Sequence, residues 1–259
     1  MTAKSEDDTP PERRAGAQPD FPSPWNRPQK RRTQPALSRE QIVAEAVALL
    51  DSDGIEALSM RKLGARLNAG ATSLYTHVAN KDELLALVVD HIFGGLPLAR
   101  AEGAEDPKVW RAAVIESTEA MRAAVVRHPW MVSVIGDVGM VYLGPNWMRL
   151  SEAMLVLMET AGFELGEAND VMGIIMGYTI GTATVEAAWL SALTKSGQDE
   201  QEFMDRLLPA VTEATRSHPR LHALYTTQVP DEVEAGRDSS FRRGIDLILD
   251  GIEARRSRT

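Results

Sequence analysis

The chain has no cysteine among its 259 residues. Disulfides and thiolate metal sites are therefore excluded, and a cytoplasmic location is the natural expectation. Histidine is scarce too, with five in all. His218 and His222 lie four apart, a spacing that can clamp a metal on one helical face. Pro219 stands between them and no third ligand is evident, so neither a metal nor a cofactor is expected. No Ser/His/Asp set, phosphate-cradling glycine loop or pair of catalytic carboxylates stands out, which argues against an enzyme. Nothing at the N-terminus has the form of a signal peptide: residues 1–36 are polar and hold seven of the fourteen prolines. Beyond residue 96 there is no strand-like alternation, so the class expected is all-α.

The length allows one or two domains with a sizeable core. The net charge of -9 is unevenly spread: +2 over residues 1–36, -3 over 37–95 and -8 over 96–259. An acidic body repels DNA phosphates. Against that background, Ala57 to Lys81 carries four Lys/Arg and no acid. Residues 1–36 are too proline-rich and too poor in apolar residues to pack, and a disordered arm is predicted. Between Trp25 and Ala36 the arm holds Arg27, Lys30, Arg31 and Arg32 with no acid. Placed before a DNA-binding unit, such a segment can reach the minor groove; a solvated linker is the alternative.

Ser59 to Lys81 reads as two short helices about a tight turn. Met60, Leu63 and Leu67 keep one face on a core. The turn is Asn68-Ala69-Gly70, with two residues that tolerate positive φ. A second helix over Thr72 to Val78 turns Leu74 and Val78 inward and Thr72, Ser73, Tyr75 and Thr76 outward. This basic helix-turn-helix pattern predicts a DNA reader. A first helix precedes it, with Ser38 and Gln41 as a capping box, Leu37 and Ile42 as a hydrophobic staple, and Gly54 as its stop. A fourth helix opens at Asn80, with Glu83 as capping partner, and runs to Gly94-Gly95. Further helices are predicted near 107–127, 129–136, 144–161, 167–194, 199–215 and 238–256.

Residues 38–95, through DSDGIEALSMRKLGARL, TSLYTHV and ANKDELL, resemble the N-terminal domain of the TetR family of bacterial repressors. Gly70 stands where a small hydroxyl residue is common in the family, which weakens a helix cap. A looser likeness runs on to about residue 255, through DPKVWRAAVIESTEAMRAAVVRHPWMV, GPNWMRLSEAMLVLMETAGF and MGYTIGTATVEAAW. The resemblance implies a helix-turn-helix DNA-binding domain over 37–95 and a helical ligand-binding and dimerisation domain over 96–259. It also implies a homodimer on a double-stranded operator with two half-sites, released by a small molecule. Likeness to family members that govern antibiotic export implies an aromatic, polyketide-like ligand and control of an exporter.

On the DNA side, Arg39, Arg61, Thr72, Tyr75, His77 and Lys81 are expected to touch or position phosphates, and Arg31 and Arg32 to hold DNA from the arm. Ala71, Ser73 and Thr76 are the expected base-edge neighbours, short enough to let the helix approach. For the ligand, Trp110, Trp130 and Trp147 with Met131, Asn146, Met176, His128 and Thr179 offer apolar walls and a few polar groups. Ordinary core packing is the alternative for each. Gly173, Gly177 and Gly181 repeat every four residues, and glycine inside a helix costs about 1 kcal/mol relative to alanine. That stripe calls for a close helix contact or a membrane span. Glu186 and interspersed threonines argue against the span. In family terms the stripe pairs across a two-fold axis with the last helix, through Phe241, Ile245, Ile248, Leu249 and Ile252. A DNA-binding regulator without a ligand, and a ligand-sequestering protein, remain the other readings.

Overall fold

The computed structural model describes residues 37–138, 144–227 and 232–256. Those residues form helices and connecting turns, with no strand among them. The arm with Arg31 and Arg32 lies outside the described residues.

Helix α1 (Arg39–Asp53) starts as the sequence predicts. Ser38 Oγ accepts from the Gln41 amide at 3.1 Å, and the Ser38 amide donates to Gln41 Oε1 at 2.9 Å. A 3-10 turn (Ile55–Ala57) leads to α2 (Met60–Arg66), capped by Ser59, and then to α3 (Ala71–Tyr75). Asn68 alone takes the left-handed conformation in the turn, at φ 49°, whereas Gly70 does not. The turn is tight for another reason. A Cβ on Gly64 would sit 2.7 Å from the Ala69 carbonyl oxygen, so α2 and the turn can close only over glycine. No side chain caps α3.

Helix α4 (Lys81–Gly94) is buried along most of its length. Its first half lies against α1, and its second half packs on α6 (Met131–Val138) and α7 (Pro145–Thr160). The body adds α5 (Pro107–Arg127), α8 (Leu165–Ser196), α9 (Glu200–Ala214), α10 (Pro219–Thr227) and α11 (Val233–Arg256). The sequence pattern anticipates these helices to within a few residues, except α10, which it misses.

Two apolar clusters form the interior. The first joins Ile42, Leu49, Leu63, Leu74 and Val88 to Trp130, Met131, Trp147 and Met176, so the core under α1–α4 continues into the body. The second gathers Trp110, Val114, Leu157, Phe163, Ile175, Phe241, Ile245 and Leu249. Met172 packs against both. Helix α8 is long and apolar enough to cross a membrane. One face of it is nevertheless buried against α5, and Glu186 on it receives Arg122 and Arg237. That packing ties one face of it into the core of the body.

Candidate DNA-reading face and ligand cavity

Helix α3 stops at Tyr75, short of the predicted Val78, yet the stretch from Ala71 to Val78 divides its side chains as a reader should. Leu74 and Val78 are fully buried, while Thr72, Ser73, Tyr75 and Thr76 are exposed. Ala71 and His77 are half-buried at its edges. The Thr76 hydroxyl donates to the Ser73 carbonyl at 2.7 Å, leaving its oxygen lone pairs outward. The basic window is less free than its composition suggests. Lys62 pairs with Asp53 and Arg66 with Glu45, while Lys81 Nζ donates to the Ile55 carbonyl at 3.2 Å. Arg39 donates to the His77 carbonyl and pairs with Glu83 at 3.7 Å. Arg39 and Lys81 therefore brace the reader's helices. Among the described residues, Arg61 is exposed and has neither an ion pair nor a side-chain hydrogen bond.

A cavity opens where the two apolar clusters meet. Its walls come from α5 (Thr118, Met121), α7 (Trp147, Ser151, Met154) and α8 (Met172, Met176), with Leu96 and Pro97 at the end of α4. Its volume is about 40 Å³. Drug-sized ligands fill pockets of roughly 300–1,000 Å³. Four methionines form much of the wall, and methionine is the apolar side chain most able to change rotamer without strain.

Of the eight predicted ligand residues, Trp147 and Met176 line this cavity. The other six lie elsewhere, each with a physical reason. Trp110 packs edge-on to Phe163 at 5.4 Å in the second cluster. His128 Nδ1 and Trp130 Nε1 both lie 2.7 Å from Asp51 Oδ1, clasping the body to the end of α1. Met131 is fully buried in the first cluster, and the Thr179 hydroxyl is spent on the Ile175 carbonyl within α8. Asn146 faces α4, where its amide and side-chain nitrogen donate to Asp90. Sequence reasoning missed Thr118, Met121, Ser151, Met154 and Met172. A signal existed: pairs three or four apart on α5, α7 and α8 each place a methionine one turn from a small polar or second methionine residue.

The predicted pairing face needs correction in part. A Cβ on Gly173, Gly177 or Gly181 would meet nothing within 4 Å, so the stripe is open, flanked by exposed Ile174 and Val185. Phe241, Ile245 and Leu249, in contrast, are buried inside the protomer against α5 and α8. Their four-residue spacing reports an internal seam. Ile248 and Ile252 are half-buried at its margin. The outward face of α11 is carried by Ser240, Leu247 and Gly251.

A reader helix joined by one continuous core to a cavity-bearing helical body defines a helix-turn-helix transcriptional regulator. The sequence matches the family described as bacterial regulatory proteins, tetR family, over residues 42–88. It matches the tetracyclin repressor-like C-terminal domain over residues 103–256. An HTH-type transcriptional regulator of Saccharopolyspora erythraea is 37% identical over 231 residues, covering 89% of this chain and 91% of that one. An HTH-type transcriptional repressor of Streptomyces coeruleorubidus is 31% identical, covering 85% of this chain and 78% of the other. Among solved structures, the Streptomyces coelicolor TetR family protein ActR in complex with actinorhodin aligns with a TM-score of 0.66. Identity there is 26%, with 84% of this chain and 97% of that one covered. The chain belongs to the TetR family of transcriptional regulators, soluble DNA-binding proteins that bind operators and small molecules and dimerise.

Proposed function

We propose that this protein is a cytoplasmic, dimeric repressor released from a two-half-site operator by a flat, apolar, polyketide-like molecule, and that it controls an exporter. The reader comprises residues 37–95 and the ligand-binding and dimerising body residues 96–259. Base edges meet Ala71, Ser73 and Thr76; Arg61, Thr72, Tyr75 and His77 hold phosphates, with Arg31 and Arg32 of the arm beside them. Arg39 and Lys81 fix the reader's shape. Pairing across the open glycine stripe of α8 and the outer face of α11 sets two readers about 34–36 Å apart, one turn of DNA.

The observation that carries this reading is the position of the cavity. It sits at the seam between two apolar clusters, one of which contains the reader's own core. A ligand that enlarges it must part those clusters and shift α4. Ligand affinity a hundredfold greater for the shifted state supplies about 2.7 kcal/mol toward release from the operator. The ligand's class is supported by the apolar lining, by ActR's complex with actinorhodin and by the repressor relatives.

The small cavity favours a second reading, a DNA-binding regulator that takes no drug-sized ligand. Fluorescence anisotropy on DNA from the gene's own upstream region, across a salt series and then with a panel of flat aromatic metabolites, separates the two. Tight, salt-sensitive binding released by one compound is the expected result. Tight binding released by none selects the second reading. Absence of specific binding, with retained affinity for an aromatic compound, selects ligand sequestration.

A further inference from the structure

Asp90 is a buried carboxylate on α4, 4% exposed, in the part of the helix that faces the body. Its Oδ1 accepts from the Asn146 backbone amide at 2.8 Å and from the Trp147 amide at 3.4 Å. Its Oδ2 accepts from Asn146 Nδ2 at 2.7 Å, and the same nitrogen donates to the Asp90 carbonyl at 3.1 Å. Asn146 and Trp147 lie in the first turn of α7, where backbone N–H groups have no partner within their own helix and the helix dipole favours an anion. The carboxylate on α4 is therefore the N-terminal cap of α7, supplied from another element.

Three further features tighten the contact. A Cβ on Gly94, one turn beyond Asp90, would lie 3.0 Å from Asn146 Nδ2, so the glycine lets the Asn146 side chain sit close against α4. Arg149 donates back to the Gly94 carbonyl at 3.3 Å. The Trp147 ring packs on Phe93 of α4 with centroids 5.3 Å apart. Trp147 also forms a wall of the cavity. One residue thus offers its amide to α4 and its indole to the ligand space. Burial holds the Asp90 carboxyl above its usual range, and the donors from α7 and the charge of Arg149 offset only part of that rise. An uncapped carboxylate at this depth is costly, so the contact is held firmly while it lasts.

We propose that the Asp90–Asn146 contact is a latch that holds α4, and the reader attached to it, in the DNA-competent position, with Trp147 as the point where the cavity acts on it. The proposal rests on the repressor reading above. Movement of the Trp147 ring into or out of the cavity shifts the first turn of α7, and the latch converts that shift into a tilt of α4. Asp90, Asn146 and Gly94 are positioning residues; none touches DNA or the cavity.

The test uses the full-length protein and a duplex selected by the wild type from a random-sequence pool, with an unrelated duplex as reference. Asn146→Asp places a second carboxylate against Asp90 and opens the latch. The double change Asp90→Asn with Asn146→Asp restores an amide–carboxylate pair of reversed polarity, with the new amide oxygen accepting from the α7 backbone. The expected result is a tenfold to hundredfold loss of affinity for the selected duplex in Asn146→Asp, within the usual range of allosteric coupling. Affinity for the unrelated duplex stays unchanged, and the double variant recovers most of the loss. Equal loss on both duplexes together with a lowered melting temperature signifies damage to the fold and overturns the latch. Unaltered binding by Asn146→Asp, or no recovery in the double variant, overturns it as well. A wild type with no site preference at any salt concentration overturns the repressor reading, and the latch with it.

Discussion

The reader and the body are built from the same kind of amphipathic helix, yet they close in opposite ways. In the reader, Ile42, Leu49, Leu63, Leu74 and Val78 are wholly buried within one short stretch of chain, and most exposed cations have a local partner. Among the described residues of the body, the helices leave open space at the methionine-walled cavity and along the glycine face of α8. The difference follows from what each part must do. A reader must present α3 in one shape, which favours a gap-free core that is braced where it runs on into the body. A body that binds and pairs needs surfaces that are finished by something else.

The comparison breaks most visibly if the reader's core is opened. Leu74 is fully buried at the centre of the helix-turn-helix. Leu74→Ala should destabilise the reader by about 2–5 kcal/mol, the usual cost of a leucine cavity. Because that core continues into the body, denaturant melts followed by circular dichroism should then show a lowered midpoint together with lost operator binding. A midpoint identical to wild type would contradict the tightly packed core.

Glycine positions sharpen the contrast next. Gly64→Ala drives a methyl group against the Ala69 carbonyl at 2.7 Å, and Gly244→Ala would overlap the Tyr178 hydroxyl. Both should cost on the order of 1–3 kcal/mol, the range seen for overpacked sites. Gly177→Ala meets nothing within 4 Å in the protomer. It should raise protomer helix stability by up to about 1 kcal/mol while weakening the dimer. Sedimentation equilibrium decides this: an unchanged dimer constant for Gly177→Leu would remove the stripe from the interface.

Smaller effects are expected at charged positions. Arg61→Ala should weaken binding to all duplexes alike and lower the salt slope by about 1. Lys81→Ala should act through reader stability instead, because its side chain is bound to the Ile55 carbonyl. Equal salt slopes for Arg61→Ala and wild type would assign the phosphate contact elsewhere. Smallest of all, Arg256→Ala removes a guanidinium that lies 4.0 Å above the Phe163 ring and donates to the Ala161 and Gly162 carbonyls. A loss near 1 kcal/mol in thermal stability is expected, with DNA binding unaffected.

Much of the fold was legible from residue spacing because helix caps and apolar periodicity are local. Ser38 with Gln41, Asn80 with Glu83, and the inward Leu74 and Val78 all depend on neighbours within a few positions. Helix α10 was missed because it is only nine residues long and opens on Pro219, which reads along the sequence as a break rather than a start.

The site was only half legible. Trp110, Trp130 and Trp147 look equivalent along the chain, since each is a large apolar residue in an amphipathic helix. Only the packing of α4 against α7 and α5 against α8 sends one of them to the cavity, one to Asp51 and one to Phe163. Likewise, Phe241, Ile245 and Leu249 share a spacing that suits an internal seam or a pairing face, and period alone cannot choose between them.

By itself, the sequence determined the helical class, the reader and its outward face, the absence of thiol chemistry and the family. The tertiary structure decided which tryptophan meets the cavity, which face of α11 is free, and that a carboxylate on α4 caps α7. The reason is physical. Caps, turns and periodicity are set by interactions between residues a few positions apart, whereas a cavity or a latch exists only where surfaces distant in sequence are pressed together.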